Sequence, residues 1–424
     1  MEPIEFSLLP DSAAVGTDGA LGVGGCSLLD VAAEFGTPAF VYDAGHVRAR
    51  CREAVAAFGA GRVIYATKAF LCRAVARLVH DEGLLLDVAS GGELHVALAA
   101  GVPATDCIMH GNNKSLDELR LAVTAGVRHV VVDSFDELDR LDALHREGLP
   151  VPEVLLRITP GIHAHTHEYI ATGQDDSKFG FNLAGGDAER ATARAMRSSS
   201  VRLVGFHCHI GSNVFAAGSF AKAAAVMAAF AVPYDLAHLV LGGGLGVAYV
   251  AGERAPTISE WAGAVLGGCR GAGVTGTVSV EPGRAIVAAA AVTLYTVGTV
   301  KPIDGVRTYV AVDGGMSDNP RPVLYGSGYE SFLPRVPLAE RPFRARVVGK
   351  HCESGDILLF DAGLPADLAV GDVLAVPVTG AYGHSMGSNY NKVARPPVVF
   401  VEDGTATLVV RRETHDDLLA TDVG

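Results

Sequence analysis

Val63-Ile64-Tyr65-Ala66-Thr67-Lys68 is a run of apolar and β-branched residues closed by a lysine, and seven later runs are built on the same plan. They occupy residues 84–90, 107–112, 129–134, 153–158, 201–209, 238–244 and 277–283. Each is continuously apolar rather than alternating, as strands buried on both faces of a parallel sheet are. Ala/Leu-rich stretches of helical periodicity or composition separate them, such as 71–82, 91–100, 115–125 and 134–147. Eight β/α units in one block predict a (β/α)8 TIM-type barrel. Most of the runs end at or near a residue with chemical potential: Lys68, Ser90, Asn112, Ser134, Arg157, His209, Gly244 and Glu281. Barrel enzymes place their sites at the C-terminal ends of the strands, and a purely structural barrel would need no polar groups there.

After residue 285 the texture changes. Runs at 292–300, 308–312, 343–348, 372–378 and 406–410 are separated by Gly, Pro, Asp and Asn turns and read as antiparallel strands. They predict a C-terminal antiparallel β-sandwich or β-barrel domain. Phe40-Val41-Tyr42 is a further candidate strand, and the N-terminal segment is expected to pack on the C-terminal domain. The expected division is a barrel at 39–290 and a β domain made from 1–38 and 291–424.

Composition narrows the function. The chain has 424 residues, 49% of them hydrophobic and 19% charged, enough for a large core and too apolar for disorder. A net charge of −13 argues against a nucleic-acid partner, and one tryptophan with no basic amphipathic run leaves a membrane partner unsupported. No apolar stretch of membrane-spanning length free of charge or glycine stands out, and the first ten residues lack a signal core. The seven cysteines are odd in number and form no CxxC, which predicts reduced thiols and a cytoplasmic setting.

Several residues invite chemistry. A desolvated Lys68 could hold a carbonyl cofactor; an ordinary surface lysine is the alternative. Gly242-Gly243-Gly244 follows the seventh run and Glu281-Pro282-Gly283-Arg284 the eighth, the two loops with which barrels often bind phosphate, unless they are simply turns needing positive φ. Glu281 could keep a pyridine nitrogen protonated or pair with an arginine. His207 and His209 share a strand face. A metal would want a third histidine or a carboxylate at familiar spacing, so His209 is read as a flat ring for stacking and His207 as a satisfied core histidine. Cys352 sits among the polar Glu353 and Asp356, which suits a loop that caps a barrel mouth. Residues 381–391, with two tyrosines, two asparagines and two glycines, read as a binding loop.

In this order the residues resemble the fold-type III pyridoxal-phosphate decarboxylases, from about residue 37 to residue 418. The resemblance lies in Tyr65-Ala66-Thr67-Lys68-Ala69-Phe70, Asp87-Val88-Ala89-Ser90-Gly91-Gly92-Glu93, His110-Gly111-Asn112-Asn113-Lys114-Ser115 and His207-Cys208-His209-Ile210-Gly211-Ser212. It continues in Glu281-Pro282-Gly283-Arg284, Cys352-Glu353-Ser354-Gly355-Asp356 and the loop 385–391. It implies pyridoxal phosphate as cofactor, Lys68 as its Schiff-base lysine, His209 stacked on its ring and Glu281 on its ring nitrogen. Asp87, Ser212, Gly243, Gly244, Gly283, Arg284 and Tyr382 would complete the cofactor site. Arg321 and Tyr325 would grip a substrate carboxylate, joined by Arg284 and Tyr382. Cys352 would handle a proton and Glu353 would read an amino group, both supplied by the other subunit of a homodimer.

The implied activity is decarboxylation of a small amino acid with a second charged end. A relative acting on ornithine, lysine or a carrier-linked acid is the alternative. A racemase on a similar barrel would need a catalytic tyrosine from its β domain, and the Cys-Glu-Ser-Gly-Asp run argues against it. Intact Lys68 and Cys352 argue against a catalytically dead homologue. Thr67, His384, Gly387 and the stretch Gly326-Ser327-Gly328-Tyr329 depart from the common pattern and bear on specificity.

Overall fold

The computed structural model describes residues 1–162 and 176–424, which form two compact units. The first comprises residues 50–247 and 255–285. Its eight parallel strands follow chain order around the sheet: Ile64–Ala66, Leu85–Val88, Cys107–Met109, His129–Val132, Glu153–Thr159, Arg202–His207, His238–Val240 and Thr277–Ser279. A parallel bridge from Val63 to Val280 joins the first to the last, closing the barrel. A short strand, Phe181–Asn182, pairs parallel beside Glu153–Thr159.

The continuous apolar runs are explained by burial on both faces. Ile64, Leu85, Ile108, Val131, Leu155, Val204 and Val240, one from each of seven strands, form a single buried cluster. Burying such a side chain contributes roughly 1.5–3 kcal/mol over leaving it exposed. The outer helices start on caps encoded in the sequence. Ser115 and Glu118 form a reciprocal capping box. Ser90 and Ser134, expected on the chemical rim, are instead the caps of the helices Gly91–Ala99 and Phe135–Arg146, accepting from Glu93 N–H and Glu137 N–H. The segment Ala217–Tyr234, passed over in the sequence because it carries Gly218 and Lys222, is long and apolar enough to span a membrane. Phe220, Ala223, Ala224, Met227 and Ala228 on it are buried. It crosses the helix Ile258–Gly271 so closely that a Cβ on Gly268 would sit 2.6 Å from the Ala221 carbonyl oxygen.

The second unit comprises residues 1–49, 248–254 and 286–424. Its sheet runs in the order Ile357–Leu364, Phe343–Val348, Arg307–Val312, Ala291–Ile303, Ala39–Asp43, Val398–Glu402, Thr405–Val410, with Val373–Pro377 also paired to Ala291–Ile303. The sheet is mixed, not antiparallel as expected. Tyr309 pairs parallel with Arg346, and Phe40 parallel with Val398. In both cases the connection is long enough for the chain to return in the same direction, which a hairpin cannot do. Ala39–Asp43 pairs with Ala291–Ile303 and Val398–Glu402, so the division falls after residue 49 rather than 38, and the barrel unit ends at 285 rather than 290.

Candidate active site

At the C-terminal end of the first barrel strand, the 3-10 turn Thr67–Ala69 carries Lys68. The turn is anchored from below: the buried Thr67 hydroxyl is 2.7 Å from the Asp87 carbonyl and 3.0 Å from Glu93 Oε2. Lys68 itself is exposed, not buried as the sequence suggested, because the turn lifts it off the strand end. Its charge nonetheless reaches Asp87, Glu93, His110 and His209. Asp87 is buried, and burial pushes its carboxyl up.

Glu281, just past the last barrel strand, is the centre of this cluster. Its Oε2 lies 2.9 Å from His207 Nε2 and its Oε1 3.0 Å from His110 Nε2. Burial alone would raise its pKa, but the two imidazoles outweigh it and hold the carboxyl well below the usual range. Among the described residues the groups paired with Glu281 are these two histidines and not the arginine foreseen as its alternative partner. His207 is the buried, hydrogen-bonded histidine expected, and the group that satisfies it is the site carboxylate; burial holds its own pKa at about 4. The sequence shows no third ligand at local spacing, yet the fold brings donor atoms of His110, His207 and Glu281 within 4.8 Å of one another.

His209 is half-buried. Burial and then the charges of Lys68 and Arg157 hold its imidazole well below 6.5, so the ring is neutral. The Gly243 N–H donates to its Nδ1 at 3.2 Å, which leaves the ring proton on Nε2. The glycines are required here: Gly244 has φ +101°, and a Cβ on Gly243 would strike the Glu281 carbonyl. Beside them Arg284 Nη2 donates to Ser212 Oγ at 2.9 Å, an anion-ready pair at the loop after the last strand. Gly283 packs against Ala66 and Ala69, so the turn bearing Arg284 presses on the turn bearing Lys68.

The second unit gathers the remaining expected residues. Arg321 is 4% exposed. Its Nη1 donates to Tyr329 Oη at 2.6 Å, and its guanidinium lies 4.3 Å from the centre of the Tyr249 ring. Burial opposes its charge, but Tyr249, Tyr329 and Tyr382 around it favour the cation. Sequence reading named Tyr329 only as a variable position and missed Tyr249; an aromatic beside a glycine-rich loop was the only signal. Tyr382 holds φ +62°, a costly conformation for a bulky residue that persists where the surroundings impose it. Tyr325 is half-buried at the end of the short helix Arg321–Tyr325.

Cys352 and Glu353 are exposed on the turn before Ile357–Leu364. That turn is rigidly braced. The buried Asp356 accepts from Met316 N–H at 2.7 Å and His351 N–H at 2.9 Å. Asn391 Oδ1 accepts from Cys352 N–H at 3.0 Å, so the 381–391 loop supports the cysteine turn. His384 in that loop packs edge-on against Phe40, and burial holds it at about 4.

A closed parallel barrel with an amine, a buried carboxylate and an anion-ready loop at its strand ends has the groups that a pyridoxal-phosphate enzyme needs. A family model described as "pyridoxal-dependent decarboxylase, pyridoxal binding domain" matches residues 44–288. The chain belongs to that family. The relatives it matches end to end are diaminopimelate decarboxylases. It is 48% identical to the one from Mycobacterium bovis, over 96% of this chain and 95% of that protein. To the one from Bacillus subtilis it is 45% identical, over 96% and 95%. The crystal structure of diaminopimelate decarboxylase from M. jannaschii in complex with L-lysine matches with a TM-score of 0.90 at 31% identity, covering 98% of each chain. The lysine/ornithine decarboxylase of Vibrio vulnificus shares the fold, with a TM-score of 0.76 at 22% identity over 89% of this chain and 98% of that one.

Proposed function

We propose that this chain removes the carboxylate at the D centre of meso-2,6-diaminopimelate, giving L-lysine and carbon dioxide, with pyridoxal phosphate as cofactor. The observation that carries this is the end-to-end match, at 48% identity, to a diaminopimelate decarboxylase. The residues present fit the cofactor. Lys68 is an amine for its aldehyde, Glu281 an ionised carboxylate for its ring nitrogen, and His209 a neutral ring for its face. Ser212, Gly243, Gly244, Gly283 and Arg284 would be the barrel's set for its phosphate, carried by the Arg284–Ser212 pair, and Tyr382 keeps the phosphate role that the resemblance gives it. Bound pyridoxal phosphate supplies a ring that takes up the electron pair left when carbon dioxide departs.

The chain's own groups do the rest. Lys68 would hold the cofactor's aldehyde through its amine, the position the substrate amine must take for reaction. Glu281 would face the ring nitrogen and favour its protonated form, and the imidazoles beside it hold Glu281 below the usual carboxylate range. Asp87 sits within the electrostatic reach of Lys68 and His110. Arg321 and Tyr325 hold the distal carboxylate, aided by Arg284 and Tyr382; the buried, ring-stacked guanidinium suits a bidentate anion. Ornithine and lysine lack that second carboxylate, so the reading favours a dicarboxylate. Cys352 returns a proton to the reacting carbon and Glu353 reads an amino group, each acting in the partner subunit's site. Their exposure on a braced turn supports such a delivery, and the reading takes a homodimer as the active form.

Carbon dioxide release from the holoenzyme, compared for meso-diaminopimelate, lysine and ornithine, tests the proposal. Release from meso-diaminopimelate alone, with L-lysine formed, is expected. Release from ornithine or lysine at equal efficiency would overturn the substrate assignment.

A further inference from the structure

Glu281 is gripped by two imidazoles that differ in kind. The rings of His110 and His207 stand edge to face, 5.0 Å apart at 74°. Among the described residues the acidic group that His207 meets is Glu281, and burial, with His110 and Arg157 nearby, holds its pKa at about 4. His110 Nε2 faces two carboxylates, Glu281 Oε1 at 3.0 Å and Asp87 Oδ1 at 3.7 Å. Asp133 and Lys68 also act on it. Burial disfavours its charge, but Asp87 and Glu281 carry its pKa above the usual value. Its main chain is fixed as well, with its N–H donated to the Val88 carbonyl at 2.8 Å, and the next carbonyl, Gly111, held by Lys114.

We infer that His110 is a positioning residue for the reaction: by bridging Asp87 and Glu281 it fixes and charges the carboxylate that faces the ring nitrogen. A buried carboxylate stays ionised only beside compensating groups; both imidazoles act on Glu281, and His110 is the one that also reaches a second carboxylate, Asp87. The inference rests on the assignment of Glu281 to the ring nitrogen.

The test uses full-length holoenzyme carrying His110→Gln, His110→Phe or Glu281→Gln. Three quantities are read: kcat and KM, the dissociation constant for pyridoxal phosphate, and the pH dependence of the bound cofactor's visible absorbance. His110→Gln keeps a donor and loses the cation. It is expected to lower kcat about ten- to a hundred-fold, the worth of one charge-assisted hydrogen bond, with KM within about twofold. The pH at which the visible band changes should move by about one unit or more, and His110→Phe should do at least as much. Should His110→Phe not fold, His110→Gln still decides. Unchanged kcat and band in His110→Gln, beside an impaired Glu281→Gln, would overturn the role of His110 alone. An unaltered Glu281→Gln would overturn the ring-nitrogen assignment beneath it.

Discussion

Replacing Glu137 by leucine strands a buried ammonium. Lys114 is 1% exposed, and its Nζ donates at 2.7 Å to the Gly111 carbonyl, the Val131 carbonyl and Glu137 Oε1. The other Glu137 oxygen accepts from Asp133 N–H at 3.1 Å. Burial raises the Glu137 pKa by more than Lys114 lowers it, so the pair is expensive to hold and more expensive to halve. Removing one member of a buried ion pair costs about 3–5 kcal/mol. At roughly 2–4 °C per kcal/mol for a unit of this size, Glu137→Leu should lower the melting temperature of the barrel by about 6–20 °C. Lys114→Met combined with Glu137→Leu removes both charges and should recover most of that loss. Because Lys114 also holds the carbonyl next to His110, the double variant, although more stable, should retain pyridoxal phosphate less well than Glu137→Leu. Calorimetry and cofactor titration on the parent and both variants decide the matter. A double variant less stable than Glu137→Leu, or a single variant melting within about 2 °C of the parent, would refute the reasoning.

Lys68→Ala should abolish both the visible cofactor band and turnover, whereas Cys352→Ala should leave the band and slow turnover; normal turnover in Cys352→Ala would remove its proton role. Arg321→Ala should raise KM for a dicarboxylate about ten- to a hundred-fold, with a far smaller change for a monocarboxylate; equal changes would count against a carboxylate grip. Asp318, buried and accepting from Tyr295 Oη and Gly315 N–H, has its pKa pushed by burial to about 7. The folded state therefore holds this proton more tightly than the unfolded state, and its contribution to stability is lost as pH rises from about 4 to about 7. Asp318→Asn cannot ionise, so its melting temperature should fall less across that window; parallel curves for the two proteins would contradict the assignment.

The barrel was legible because burial on both faces leaves its mark within each strand. Lys68, the glycine loops and Glu281 could be placed at strand ends for the same reason. What the fold adds is which distant ends meet. Nothing near His110 or His207 in sequence announces that both will close on Glu281, since their strands become neighbours of that site only when the sheet curls shut. Strand direction in the second unit was equally hidden. A hairpin dictates antiparallel pairing, but the long connection before Phe343–Val348 and the distance between Ala39–Asp43 and Val398–Glu402 dictate nothing. Ser90 and Ser134 show the reverse error, since a polar residue at the end of a strand is also the first position of the helix that follows.

The segment 248–254 belongs to the same compact unit as Arg321, though the sequence on either side of it belongs to the barrel. It carries Tyr249, the ring beneath the Arg321 guanidinium. Neither unit is thus a single length of chain. A gene fragment ending near residue 285 would make a barrel carrying an orphaned Tyr249, and a fragment beginning there would make Arg321 without the ring on which it rests. Exchange of specificity between relatives by splicing at one junction would separate these two residues by ancestry, so a chimera that keeps the arginine's geometry must carry residues 248–254 along with the C-terminal piece.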